Sequence, residues 1–449
     1  MALISPFRAL RYDPARVGLP EVVTQPYDKI TPDMQERYHA ASPYNLVRII
    51  LGKRETTDNE TENVYSRAAG YFADWRRRGI FLQDGEPSIY LYVQRFAVPG
   101  GKNEVERRGF IALGKVEDYS AGVVFRHEQT LAKPKTDRLN LLRATRAHFG
   151  QIFMLYSDPA GEVEAALAPV EAPTIEVRDE YGVLHQVWTI SDPSVIALLQ
   201  GKMRDKKLII ADGHHRYETA LNYRNERRAS AVPVGGIPRE RNLDAFARHE
   251  EEESAPYEML MMTFVNMDSP GLVILPTHRV VHGVEGFTPE ALQEAAKSYF
   301  SVEEVDAGID AARAQGILRQ AGLVGPALLA VTRTRAFLLD RPKADPGLFS
   351  GLSLQQQWLD VVQLHKCLLE GALGLSEESI REQKNLRYIR DTSEALEHVR
   401  TGKADVAFLM NPVRMPQVRD IAFGGEVLPQ KSTDFYPKLL SGLTIYALE

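Results

Sequence analysis

Cysteine is almost absent: Cys367 is the single one in 449 residues. A lone thiol excludes an internal disulfide framework and a multi-cysteine zinc site, and it suits a reducing cytoplasm. Long apolar runs are missing too. None reaches the roughly 18 residues that a membrane helix needs, and the N-terminal MALISPFRALRYDP holds no run of signal-peptide length, so a soluble cytoplasmic protein without a membrane partner is expected. Positive charge is in deficit, with 54 Lys and Arg against 60 Asp and Glu, a net charge of −6 and a pI near 6.1. That balance argues against a general nucleic-acid surface, and basic and aromatic residues are not interleaved as a single-strand binding platform requires. No G-x-G-x-x-G follows a strand-like run, which speaks against a dinucleotide-binding Rossmann unit. Neither H-E-x-x-H nor a Cys pair occurs, so no transition-metal centre is predicted.

What is present is ordinary globular material, 44% hydrophobic and 25% charged. Strand-like and helix-like segments mix without a regular βαβ rhythm, which predicts an α+β fold with mixed or antiparallel sheets and flanking helices. SIYLYVQRF (88–96) and residues 107–116 read as a hairpin. Leu46–Leu51 reads as a strand, residues 137–149 and 356–371 as helices, and YEMLMMTFVNM (257–267) as a buried strand with core methionines. Thr31-Pro32, Asp192-Pro193 and Thr288-Pro289 read as helix starts. These readings predict a main domain over 1–228 and a polar loop or mobile lid over 229–256. A second α+β part then runs over 257–449, with a subdomain at about 285–345 and a C-terminal segment that returns to the site.

That site centres on KKLIIADGHHRYETAL, residues 206–221. A short apolar run, a glycine turn and a helix-like segment aim backbone N–H groups and a positive helix end at an anion. Gly213 lets a phosphate approach the backbone, and Arg216 is suited to hold it bidentately. Asp212 is suited to proton transfer or Mg²⁺. His214 and His215 cannot share one helix face, so at most one of them points at the chemistry. Three further blocks offer compatible groups. The first is His127-Glu128 with Lys135, Asp137 and Arg138, where Glu128 is a candidate general base. The second is Thr277-His278-Arg279. The third is GEVLPQKS (425–432), where Gln430 replaces the second glycine of a P-loop and leaves Lys431, Ser432, Thr433 and Lys438 as side-chain phosphate contacts.

The blocks SPFRALRYD, HEQTLAKPKTDRLNLLRATRAHFGQIFMLY, IIADGHHRYETAL, LDVVQLHKCLLEGALG and PQKSTDFYPKLLSGL identify the chain as a member of a bacterial and archaeal family. It is catalogued as a domain of unknown function, number one thousand and fifteen. ADGHHRYETA also resembles the glycine-His/Glu-Arg box of the ParB and sulfiredoxin superfamily, which includes archaeal free-serine kinases. That resemblance implies a ParB/sulfiredoxin-like element around the turn. Gly213, His214, His215 and Arg216 would then cradle a nucleotide's phosphates, with Asp212 assisting. The function expected is a phosphotransferase using ATP, ADP or CTP with Mg²⁺ on a small hydroxylated metabolite such as serine. A phosphatase of a phosphorylated metabolite and a non-catalytic nucleotide sensor are the alternatives.

Overall fold

The computed structural model describes residues 1–101, 103–128, 133–167, 172–231, 255–343 and 347–449, with the side chains of 133–135 and 231 set aside. The chain divides into two units. The first comprises Met1–Arg126, Thr130–Val273 and Pro437–Glu449; the second comprises His127–Gln129 and Ile274–Tyr436. Among the described residues no helix is long and apolar enough to cross a membrane. The expected lid at 229–256 lies almost wholly outside the described residues.

Unit 1 is built on a nine-stranded sheet. Its strands are β1 (Ile4–Ser5), β2 (Ile89–Ala97), β3 (Glu104–Lys115), β4 (Val124–Arg126), β5 (Ile152–Tyr156), β6 (Ile175–Arg178), β7 (Leu184–Ile190), β8 (Leu208–Asp212) and β9 (Met259–Asn266). The order is β4-β8-β5-β9-β3-β2-β7-β6, with β1 on β3. β8 runs parallel to β4 and β9 parallel to β5, and the other pairs are antiparallel. The fold is therefore α+β with a mixed sheet. Met259–Asn266, expected to open the second part of the chain, instead sits between β5 and β3 in this sheet. Its methionines are core, as their sequence context suggested: Met261 and Met262 are fully buried.

The helices of unit 1 used below are α1 (Pro32–Ala41), α2 (Val47–Ile50), α3 (Val64–Arg77), α4 (Lys133–Thr145), α5 (Pro193–Met203) and α6 (His214–Ala231). Thr31 caps α1 by accepting from the Met34 amide, and Asp192 caps α5 at Ser194. Leu46–Leu51 is not a strand. Asn45 accepts from the Val47 amide at 2.9 Å and starts the short helix α2. The run LVRIIL fits either a buried strand or a buried helical turn, and the Asn45 side chain just before it decides it. α4 ends at Thr145, where Arg146 takes φ +48. Ala147–His148 then pairs with Tyr446–Ala447 instead of continuing the helix to 149.

Unit 2 carries a six-stranded, fully antiparallel sheet. Its strands are β10 (His278–Val281), β11 (Ser301–Val305), β12 (Leu328–Val331), β13 (Ala336–Asp340), β14 (Leu386–Ile389) and β15 (Val406–Met410), in the order β11-β13-β12-β15-β10-β14. The 285–345 stretch therefore shares one sheet with β10, β14 and β15. β11 left little trace in the sequence, because three of its five residues are exposed, and β14 is only four residues long. The helix expected over 356–371 is broken into Leu354–Gln357, Asp360–Gln363 and a wide-turn segment, Leu364–Ala372. Cys367 is buried there as a core residue.

Asp360 gives unit 2 a pH dependence. Burial pushes its carboxyl up to about 6, against the opposing amides of Ala327 at 3.4 Å and Asn411 at 3.3 Å. The folded state thus binds this proton more tightly than the unfolded one. Stability from this group is present below about pH 4 and falls as pH rises toward 6. Asp360→Asn is expected to flatten that slope and to add about 1–2 kcal/mol at neutral pH. Urea midpoints at acid and neutral pH check it, and an equal effect of the substitution at both would sink the prediction.

Candidate functional site

β8 ends at Asp212, Gly213 turns the chain at φ +93, and α6 begins at His214. Only glycine holds that backbone without strain. The space is also occupied: a Cβ on Gly213 would lie 3.0 Å from Arg216 Nη2 and 3.1 Å from Ile152 Cδ1. Gly150 gives way in the same manner, since its Cβ would lie 3.0 Å from Arg216 Nη1. The guanidinium seated between these glycines donates to Asp212 Oδ2 at 3.0 Å and to the Gln151 carbonyl at 2.6 Å. Gly213→Ala is expected to cost about 1–3 kcal/mol in stability through backbone strain and displacement of Arg216. Thermal melts check this; an unchanged melting temperature would mean that the turn relaxes freely.

The second carboxylate oxygen, Asp212 Oδ1, accepts from Lys438 Nζ at 2.9 Å. Burial alone would raise this carboxyl. Lys438, Arg216 and Lys29 together overcome it and hold Asp212 well below the usual carboxylate range. Asp212 is therefore ionised and a weak proton acceptor, which corrects its expected role as a base. A carboxylate already shared by two cations with a third nearby does not suit Mg²⁺.

Beside this turn is a cavity of about 80 Å³ walled by Tyr27, Leu141, Phe149, Arg138, Arg216 and Leu260, among others. The Arg138 guanidinium lies 4.1 Å over the Tyr27 ring and donates to the Ile50 carbonyl at 2.6 Å. It also pairs with Asp137, which accepts from Tyr65 OH at 2.8 Å. Burial raises the Asp137 carboxyl, but Arg138 leads the groups that hold it below the usual range. Asp137 and Arg138, both expected at phosphate, thus neutralise each other. His214 and His215 are half-buried in the first turn of α6. The Lys135 side chain lies outside the described residues.

Lys438 is held from behind. Gln94 Nε2 donates to the Lys438 carbonyl at 3.0 Å, and Arg107 Nη2 donates to the Pro437 carbonyl at 2.6 Å. Arg107 also donates from Nε to Gln94 Oε1 at 3.0 Å and stacks 4.7 Å over Phe153. Next to them, Tyr92 OH meets His185 Nδ1 at 2.7 Å, and His185 Nε2 lies 3.2 Å from Asp179.

The remaining expected residues gather in unit 2. His127 Nε2 meets Thr433 Oγ1 at 2.7 Å, and Glu128 Oε1 accepts from the Lys431 amide at 2.6 Å. Lys431 takes φ +56 there. Ser432 Oγ donates to the Pro429 carbonyl. Arg279 is fully buried; it donates to the Thr277 and Gln430 carbonyls and stacks 4.7 Å over Tyr388. His278 accepts from the Met410 amide at 3.3 Å on Nδ1 and meets Thr392 Oγ1 at 3.0 Å on Nε2. Burial, then Arg279, lowers its pKa to about 4, so it is neutral. His278 and Arg279 are thus structural, which corrects their assignment to phosphate: neither has an exposed donor. His127 and Ser432 are buried as well, and the Lys431 side chain is the exposed cation of this group. Among the described residues no group of three or more His, Cys, Asp or Glu side chains could hold a metal ion.

The family model described as "Protein of unknown function (DUF1015)" matches residues 4–370. The chain belongs to this family. The terminal PQKSTDFYPKLLSGL, which brings Lys438 to Asp212 in this DUF1015 member, lies beyond the matched range. No curated protein matches the chain. Among solved structures, a conserved hypothetical protein from Pyrococcus furiosus is 12% identical over 72% of this chain and 92% of its own, with TM-score 0.35. A free serine kinase in complex with AMP is 14% identical over 70% and 83%, with TM-score 0.34. SbnI from Staphylococcus aureus is 10% identical over 74% and 85%, with TM-score 0.33. At such TM-scores and identities, the AMP of the kinase complex assigns no ligand to the DUF1015 chain.

Two contributors were not assigned to the site from sequence. Gly150 lies within the family block HEQTLAKPKTDRLNLLRATRAHFGQIFMLY but has no phosphate motif of its own. Lys29 stands in TQPYDKITP beside Tyr27 and Asp28, and nothing local ties it to Asp212, 183 positions on.

Proposed function

We propose that unit 1 of this DUF1015 protein binds a nucleotide by its phosphates and transfers a phosphoryl group to a small hydroxylated metabolite, with serine the first to test. The observation that carries this reading is the Asp212 carboxylate set among Arg216, Lys438 and Lys29 at a strand–glycine–helix turn. Phosphoryl transfer depends on positioning and charge neutralisation more than on covalent chemistry by the protein. Arg216, Lys438 and Lys29 would neutralise the phosphate oxygens, the first amides of α6 would cap one of them, and the apolar wall beside Tyr27 would take the nucleoside. In the transfer, the bond from the terminal phosphorus to its bridging oxygen breaks and a bond to the metabolite hydroxyl forms. The hydroxyl proton passes to a base, for which His214 or His215, in the first turn of α6, is the candidate in place of the ion-paired Asp212. Asp212 orients the two cations that touch it.

The test is calorimetry with ATP, ADP and CTP, followed by turnover with Mg²⁺ and a panel of amino-acid and hydroxy-acid acceptors. Absence of both binding and turnover for every nucleotide would end this reading. The locked state of Asp212 favours a second one, a nucleotide sensor without chemistry; saturable binding with no turnover selects it. Phosphate release from a phosphorylated metabolite without nucleotide selects a phosphatase.

A further inference from the structure

A second cleft in unit 1, about 310 Å³, is lined by residues of α1, α2, α3 and the loop after α2, among them His39, Arg48, Lys53, Arg67 and Tyr71. Two of its three cations are compensated. Lys53 Nζ pairs with Glu36 at 2.6 Å, and Arg67 pairs with Asp58 at 2.6 Å and with Glu55 at 3.7 Å. Arg48 differs. Among the described residues no carboxylate lies within ion-pair distance of it; its Nη2 donates to the His39 carbonyl at 2.7 Å. Its Nε is buried with no acceptor, and His39 Nε2 is likewise buried with no partner. Buried polar atoms are nearly always satisfied by protein, water or a ligand.

Burial, with Arg48 and Lys53 nearby, pushes the His39 imidazole below its usual value, so it is neutral at pH 7. Its Nε2 can therefore meet a hydroxyl or an amine. At Gly52 the cleft has no side chain; a Cβ there would lie 3.0 Å from both Val64 Cγ2 and the Arg48 carbonyl. A guanidinium with no carboxylate at ion-pair distance among the described residues, two orphaned polar groups and an aromatic wall from Tyr71 thus share one cleft.

We propose that this cleft binds a small organic monoanion, a hydroxy- or amino-carboxylate, distinct from any ligand at Asp212. Its carboxylate lies against the Nε edge of Arg48, the geometry that guanidinium favours, and its hydroxyl or amino group meets His39 Nε2. Glu36, Asp58 and Glu55 match the three cations in number, so a monoanion held by Arg48 is favoured over phosphate with its second charge.

The experiment is calorimetry on the full chain at low ionic strength with glycerate, lactate, acetate and inorganic phosphate. Glycerate or lactate is expected to bind with a Kd in the millimolar range, about 4 kcal/mol. Arg48→Gln should weaken it at least about tenfold. His39→Phe should remove the preference for glycerate over acetate. Any phosphate binding seen in wild type should survive both substitutions. If Arg48→Gln does not fold, Arg48→Lys should still weaken the carboxylate severalfold, because an ammonium lacks the fork. Equal affinity in wild type and variant, no binding of any carboxylate, or phosphate competing for this cleft would each overturn the proposal. Water alone then fills the cleft, or another anion does. None of these outcomes depends on the nucleotide reading of the Asp212 turn.

Discussion

Arg216→Ala is expected to weaken binding of any phosphate-bearing ligand by about a hundredfold or more. Hydrogen bonds from a charged donor contribute about 1.5–3 kcal/mol each, and Arg216 is one of three cations at the site. The substitution also strips the Gln151 carbonyl of its donor and removes one of two cations touching Asp212. A stability loss of about 1–3 kcal/mol follows from those broken contacts. The acid limb of unfolding should move as well. The folded Asp212 carboxyl lies below its unfolded value, so its contribution is fully present above about pH 4 and is lost as pH falls through the folded pKa. Without Arg216 that folded pKa rises, and the loss begins at a higher pH. Calorimetry with ATP and a circular-dichroism acid titration read the two effects. Unchanged affinity together with an unchanged acid midpoint would remove Arg216 from the site. Arg216→Lys should fall between, since an ammonium cannot reach Asp212 and the Gln151 carbonyl together.

Arg107→Met is expected to give the largest loss of stability, about 2–4 kcal/mol, despite lying away from the anion itself. Arg107 is 1% exposed, and burial lowers its guanidinium to about 10. Methionine keeps much of the volume against Phe153 but leaves Gln94 Oε1 and the Pro437 carbonyl without this donor. The segment that carries Lys438 then loses an anchor, and ligand affinity should drop about tenfold. Adding Gln94→Leu should recover part of the stability, because removing both partners of a buried bond costs less than removing one. It should not recover the affinity, because Gln94 Nε2 also holds the Lys438 carbonyl. Urea unfolding of the single and double variants tests the pairing; strictly additive losses would show that the two side chains act independently.

These predictions draw unequally on sequence and structure. Asp212, Gly213 and Arg216 were legible together because they lie within five residues, where a strand–turn–helix sets their geometry locally. The caps at Thr31, Asp192 and Thr288 were legible for the same reason. Asp137 and Arg138 were also visible, but their mutual ion pair was not, since a charged residue looks the same in sequence whether it is committed or available. His278 and Arg279 misled similarly: polar residues at a strand start read as exposed, and only the burial of β10 between β14 and β15 makes them internal.

The residues alone thus determined the α+β class, the turn at Gly213 and the clustering of Asp212 and Arg216 on it. Tertiary structure decided what that turn can do. Lys438 comes from 226 residues away to Asp212, and Gln94 and Arg107 hold it from neighbouring strands. The charge of Asp212 is set by those distant cations, and local sequence carries no record of a Coulomb interaction between residues that only folding brings together.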